Sequence, residues 1–162
     1  MGEAIRHCRA APPKSVLFAC TLNAVRSPMA EAIARHYFGR RIFFDSAGVS
    51  PQPLDPLAVE VMEEIGICMR DHRARGFDAL LDTSFDLVIS FSREADSEAR
   101  QIARTAAIET EYWPTSNPGL DLGMDGGSRE TRLCLLRHIR DELLIGIRRR
   151  FTGPSAAGGP AA

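Results

Sequence analysis

Val16-Leu17-Phe18-Ala19-Cys20-Thr21-Leu22-Asn23-Ala24-Val25-Arg26-Ser27-Pro28-Met29-Ala30-Glu31-Ala32 decides how this chain folds. The apolar run Val16–Ala19 reads as a buried strand, and Pro28 onward reads as a helix. Cys20 and Arg26 therefore frame a tight strand-to-helix turn of the form C-x5-R. Successive backbone N–H groups curling round one point make an anion-binding nest, and a helix starting after it adds the positive end of its dipole. The planar guanidinium of Arg26 is suited to grip two oxygens of a phosphate in parallel, which a lysine cannot do. A cation and a helix N-terminus also favour the ionised, nucleophilic form of a thiol. Ser27 is expected to be the N-cap with Pro28 at N1, and its hydroxyl is placed to donate to the sulfur. A second C-x5-R, Cys134 to Arg140, lies within Leu133-Cys134-Leu135-Leu136-Arg137-His138-Ile139-Arg140. That stretch reads as mid-helix, where the amides are tied up in i→i−4 bonds and cannot turn to an anion.

The chain has 162 residues, 44% hydrophobic and 25% charged, which suits one domain with a real core. A net charge of −1 carries no bulk footprint for nucleic acid or membrane, so neither is expected as a partner. Cys8, Cys20, Cys68 and Cys134 are widely separated, and no His/Cys cluster has metal-ligand spacing, so no metal or cofactor is expected. No apolar stretch is long enough to span a bilayer and no leader pattern opens the chain, so a reducing cytoplasm, suited to a free thiol, is the expected compartment.

Residues 1–14 read as a flexible extension, 15–151 as the domain, and 152–162, rich in Gly, Pro and Ala, as a flexible tail. Inside the domain strands and helices alternate. Strands are expected at 16–19, 42–44, 87–89 and 109–113. Helices are expected at 28–38, at 57–65 closed by Gly66, at 93–105 capped by Ser92, and after Ser128 with Leu136, Ile139, Leu143 and Ile147 on one face. The run Arg148–Arg150 is expected to be a solvated helix end. Such alternation implies an α/β fold: a doubly wound, four-stranded parallel sheet with helices on both faces. Ligands of such sheets bind beyond the carboxyl ends of the strands at a switch point, where the Cys20 turn lies.

The segment VLFACTLNAVRSPMAEA resembles the phosphate-binding loop of the low-molecular-weight protein tyrosine phosphatases and the related thioredoxin-linked arsenate reductases. The likeness extends over about Ser15 to Phe151. Asp45-Ser46-Ala47-Gly48 resembles the family's Ser-Ala-Gly segment after the second strand, and Asp71-His72-Arg73-Ala74-Arg75 its His-x-Ala-Arg segment. Trp113 to Pro118 sits where the general-acid loop belongs. The resemblance implies a cysteinyl-phosphate mechanism in which Cys20 attacks phosphorus. Arg26 and the amides of Thr21, Leu22, Asn23, Ala24 and Val25 would hold the equatorial oxygens, with Asn23, Ser46 and His72 supporting the loop. Asn23 also tolerates a left-handed backbone.

The chain departs from the pattern in four places. Asn117-Pro118 stands where the family carries Asp-Pro, and an asparagine cannot protonate a leaving alkoxide. Asp121 is the fallback acid, and Asp125 lies in the same loop. Leu22 replaces a usual glycine, which would be costly if that position had positive φ, so a slightly different loop path is expected. No aromatic ring follows the acid position or the Ser-Ala-Gly segment to clamp a phosphotyrosine, and Tyr112 and Trp113 are assigned to strand and core. The stretch Ile89–Asp96 lacks the relay cysteines of the reductases, while Cys68 and Cys134 read as buried small apolar residues. The expected activity is a cysteine-dependent phosphomonoesterase, weak toward poor leaving groups. Its substrate would be a phosphorylated protein or a small phosphomonoester. The alternatives are an arsenate reductase that borrows an external thiol, and an impaired protein that binds phosphate or arsenate oxyanions or a phosphoprotein without turnover. Oligomeric state is left open.

Overall fold

In the computed structural model, residues 11–80, 84–118 and 127–152 are described. The elements run β1 (Ser15–Cys20), α1 (Arg26–Phe38), β2 (Phe43–Gly48), α2 (Pro56–Glu63), a 3-10 turn (Phe77–Leu80), β3 (Leu87–Ser90), α3 (Arg93–Ala103), β4 (Glu109–Tyr112) and α4 (Arg129–Phe151). The sheet order is β2-β1-β3-β4, with every pair parallel. The expected doubly wound α/β fold is therefore present. From β1 the chain winds first to one neighbour, β2, and later crosses to the other, β3, so the switch point lies at the carboxyl end of β1.

β1 is central and buried on both faces, which is why it reads as a continuous apolar run. Val16, Phe18 and Cys20 point to one core, where α1, α2 and α4 contribute Met29, Ile33, Val61, Met62, Leu136, Ile139, Leu143 and Ile147. Leu17 and Ala19 point to the other, with Val88, Ala95 and Ala99 under α3. Phe18 stacks between Phe44 and Phe91, tying β1 to both neighbours.

Several boundaries differ from the expectation. β2 extends through Gly48, so the Ser-Ala-Gly segment is the end of the strand and not a loop after it: Phe18, Ala19 and Cys20 pair with Ser46, Ala47 and Gly48. Helix α1 begins at Arg26, its N-cap is Val25 without a side-chain cap bond, and Ser27 lies inside the first turn. Ser27 is thus not the cap, because its hydroxyl is committed to the cysteine. Helix α2 opens one residue early on Asp55, whose carboxylate accepts from Leu57 N, and ends at Glu63; the turn then closes through Gly66 at φ 75°. Ser92 and Ser128 cap α3 and α4 as expected. Arg150 pairs with Glu111, so the basic end of α4 is not simply solvated. Cys68 and Cys134 are both exposed, contrary to the buried reading: Cys68 follows Ile67 on the surface side of a loop, and Cys134 faces away from the apolar stripe of α4. Trp113 packs edge-on against Phe91, while Tyr112 is exposed at the end of β4 and does not join the core. Lys14 joins the edge of the sheet, its carbonyl accepting from Phe43 N.

Candidate active site

The loop from Cys20 to Arg26 is built by the bonds its carbonyls make. The carbonyls of Cys20, Thr21, Leu22 and Ala24 accept from the amides of Val49, Ser50, Gln52 and Asp55 at 3.1, 2.8, 2.9 and 3.1 Å. Residues 49–55, continuing β2, thus run along the outside of the loop like a girdle. A planar trans peptide places N–H opposite C=O, so the amides of Thr21, Leu22, Asn23 and Val25 face the inside. One of them shows its target directly, with Asn23 N donating to Cys20 Sγ at 3.2 Å. The inward-facing arrangement is an anion nest closed by the first turn of α1.

Cys20 is buried, and its sulfur also lies 2.9 Å from Ser27 Oγ. Ser27 Oγ accepts from Asn23 Nδ2 at 2.9 Å, which leaves its own proton to donate to the sulfur or, less closely, to Ala47 O at 3.3 Å. Asn23 is the keystone. Its φ is 50°, the only positive value at a described non-glycine residue. Leu22 therefore carries no left-handed cost, and its side chain is simply exposed (46%) at the mouth of the loop. The expected altered path is not needed. Asn23 Nδ2 also reaches Ser46 Oγ at 3.0 Å, and its Oδ1 accepts from Arg75 N at 2.9 Å and contacts His72 Nε2 at 3.1 Å. Because Oδ1 already receives a main-chain N–H, it is the acceptor and His72 Nε2 the donor.

Behind this layer sits a residue that sequence reasoning missed. Glu31, buried on α1, accepts from Ser46 Oγ, pairs with Arg35 at 2.7 Å and faces His72 Nδ1 at 3.5 Å. Burial pushes its carboxyl up, but hydrogen bonds from His72 and Ser46 and the Arg35 charge together hold it below the ordinary glutamate value. The sequence signal was a glutamate on the otherwise apolar, inward face of α1. Asp45 shows the reverse balance. Burial raises it, against a Ser46 N hydrogen bond and an ion pair with Arg75.

Arg26 is buried too. Its Nη1 donates to Phe91 O at 3.0 Å and to Thr115 O at 3.5 Å, which ties the guanidinium to the end of β3 and to the segment carrying Asn117. Asn117 and Pro118 line the same cleft as Thr21, Leu22, Ala24, Val25 and Arg26. Asp121 and Asp125 lie outside the described residues. Cys20, Asn23, Ser27, Ser46 and His72 are thus joined by direct contacts, and Arg26 and Asn117 share the cleft above them. Arg140, by contrast, is spent on Val61 O, Glu64 and Asp141, so the second C-x5-R is structural. Among the described residues no group of His, Cys, Asp or Glu is arranged to hold a metal ion, and no helix is long and apolar enough to cross a membrane.

Residues 15–122 match the family described as low molecular weight phosphotyrosine protein phosphatase. An arsenate reductase of Halalkalibacterium halodurans is 31% identical over 130 residues, covering 80% of this chain and 89% of its own. One from Shouchella clausii is 29% identical with the same coverage. Among solved structures, the low molecular weight protein tyrosine phosphatase from T. tengcongensis superposes with a TM-score of 0.65 at 27% identity, over 85% of this chain and 97% of that one. A mutant of the arginine phosphatase YwlE with a phosphorylated active-site serine does so with a TM-score of 0.65 at 26% identity, over 83% and 91%.

Proposed function

This chain belongs to the low molecular weight phosphotyrosine protein phosphatase family, and from that premise we propose that it is a phosphomonoesterase with Cys20 as nucleophile. The single observation that carries the reading is the loop's polarity: its carbonyls are bound outward by residues 49–55, so its amides face inward, where Asn23 N reaches the sulfur. In the first step Cys20 Sγ attacks phosphorus and the P–O bond to the organic group breaks. The loop amides and Arg26 bind the three equatorial oxygens, whose charge grows in the transition state. Water then attacks the cysteinyl phosphate, the S–P bond breaks, and the sulfur leaves as thiolate, stabilised by Ser27 Oγ and Asn23 N. Asn23, Ser46 and His72 are positioning residues, acting on the loop and not on the substrate. Asn117 occupies the acid position but has no proton of suitable acidity, so the leaving group must depart unaided unless Asp121 serves. Substrates whose leaving groups are stable anions are favoured, either a phosphorylated protein or a small phosphomonoester.

Hydrolysis of p-nitrophenyl phosphate tests this. Wild type should turn it over, and Cys20→Ser should lose about 10³-fold or more in kcat while still binding phosphate or tungstate. Equal turnover in that variant removes the reading.

The identity to arsenate reductases favours a second reading. Cys20 would displace water from arsenate. A second thiol would then attack the Cys20 sulfur, leaving a disulfide and arsenic reduced to arsenite. Ile89–Asp96 has no cysteine, and Cys20, Cys68 and Cys134 are free thiols. In this reading the second thiol comes from a glutathione or thioredoxin system. Arsenite formation with either system supports this reading, and none with both present rejects it.

A further inference from the structure

The cleft outside the phosphate loop is much larger than a phosphoryl group needs. It has a volume of about 810 Å³ and extends from Arg26 and Asn117 to Asp55 and Arg132. Its described lining has aliphatic surface from Leu22 and Leu54 but no aromatic ring. Beside the polar Thr21, Gln52 and Asn117, its charge beyond Arg26 comes from Asp55 and a second arginine, Arg132.

Arg132 projects from the first turns of α4 and is about half exposed, and its Nη2 donates to Asp55 Oδ2 at 3.1 Å. The other oxygen of Asp55 caps α2 at Leu57 N, 2.8 Å away, so the carboxylate is fixed and in turn fixes the guanidinium. A guanidinium presents five N–H donors in a plane. Asp55 engages one of its nitrogens, Nη2. The other arginines of this helix face are used differently. Arg129 pairs with Glu60, while Arg137 and Arg140 pair with Glu64, and none of the three lines the cleft. Helices α1 and α2 both start at the cleft wall, through Val25 and Asp55, and their dipoles add to the positive field.

We infer that Arg132 is a second anion subsite, and that the substrate is an organic phosphate carrying a further negative group, a carboxylate or another phosphate. The transferred phosphoryl group occupies the loop at Arg26, the aliphatic walls take the connecting carbon skeleton, and the distal anion meets the open edge of Arg132. This deepens the phosphomonoesterase reading and rests on it for the chemistry, but the recognition itself does not need turnover.

The test uses ω-(4-phosphonooxyphenyl)alkanoates of increasing chain length, each beside its uncharged carboxamide, and one series with a terminal phosphate in place of the carboxylate. Acid and amide share a leaving group, so any difference between them is recognition. Binding is measured by calorimetry on Cys20→Ser, and kcat/KM on the wild type. At the fitting length the acid should bind about fivefold tighter than the amide, the upper range for an exposed ion pair. Arg132→Gln should erase that preference and Arg132→Lys keep part of it. Asp55→Asn, which retains a capping side chain, should widen it by freeing the guanidinium. The carboxylate and phosphate arms show which anion fits. Equal affinity of charged and uncharged members at every length, or a preference that survives Arg132→Gln, overturns the subsite. A protein that binds with the preference but leaves p-nitrophenyl phosphate unhydrolysed loses the phosphatase reading and keeps the subsite. One that hydrolyses acid and amide equally keeps the former and loses the latter.

Discussion

Asn23 holds its left-handed backbone for a reason that alanine cannot supply. Its side chain satisfies Ser27, Ser46, His72 and Arg75 N at once, and its own amide touches the sulfur. Asn23→Ala adds the αL cost of roughly 1–2 kcal/mol to a buried network left without its centre, so stability and activity should fall together. Asn23→Gly keeps the φ and loses only the network, so it should recover stability more than kcat. Thermal melts and p-nitrophenyl phosphate kinetics on the pair separate the two. Gly48 is constrained by close approach: a Cβ there would lie 2.7 Å from Asn23 N and 2.9 Å from Leu22 C. Gly48→Ala should therefore push the loop off its path and cut kcat by at least about tenfold, since misplacement on the ångström scale is enough to do so. Asn117 gives the complementary gain. Asn117→Asp restores an acid beside the cleft and should speed a poor leaving group such as phenyl phosphate by up to about 10²–10⁴-fold, and p-nitrophenyl phosphate by much less. Equal acceleration of both would assign the effect to something other than proton donation. At this scale Cys20, Arg26 and Asn23 were legible because they are neighbours in sequence. Glu31, Arg75 and the contact with Gly48 were not, since each acquires its role only when β2, α1 and the segment after residue 71 meet.

Elements were readable where one periodicity ran unopposed. The fully apolar β1, the caps at Ser92 and Ser128, and the Leu136–Ile147 stripe all fell where side-chain chemistry placed them. The failures next to the site share a physical origin: polar residues recruited by the site stop behaving as local signals. Ser27 looks like an N-cap, but its hydroxyl is consumed by Cys20 and Asn23, and the helix simply begins earlier on an uncapped Val25. Asp45 and Ser46 look like loop residues, yet they belong to β2 because Arg75 and Glu31 take up their polarity from the side. Apart from Arg132 and Leu136, which line the cleft, the long α4 supports the phosphate loop through its core contacts, burying Ile139 and its neighbours against α1 and α2. Ile139→Ala should cost about 2–5 kcal/mol in denaturant unfolding. kcat of the remaining folded protein should change little, because Ile139 supplies none of the hydrogen bonds that hold the loop network. A large kcat effect at full folding would mean that α4 positions the loop more directly than its contacts suggest.

At the scale of the whole molecule, the doubly wound sheet collects its polar burden at one end. The carboxyl ends of β1 and β2 hold Cys20, Asp45 and Ser46, and α1 sends Glu31 into the same region. Two buried carboxylates there respond to acid in opposite senses. Glu31 is held below its ordinary value, so its contribution to stability is complete above the unfolded carboxyl range and is lost as pH falls through its lowered value. Asp45 is raised by burial despite Arg75, so its contribution is complete below the unfolded value and is lost as pH rises through the raised one. The pH response of stability across the carboxylate range is then a difference between the two, and removing either charge exposes the other. In melts at pH 3.5 and 6.5, Glu31→Gln should shrink the gain in Tm on going to the higher pH, or reverse it, and Asp45→Asn should enlarge it. Each variant also lowers or raises Tm at both pH values through its lost contacts, so the informative quantity is the change between the two conditions and not either melt alone. Parallel shifts in both variants would mean that these carboxylates titrate alike in folded and unfolded chains. The girdled loop would then owe its shape to the main-chain bonds from residues 49–55 and not to the charged layer behind Asn23.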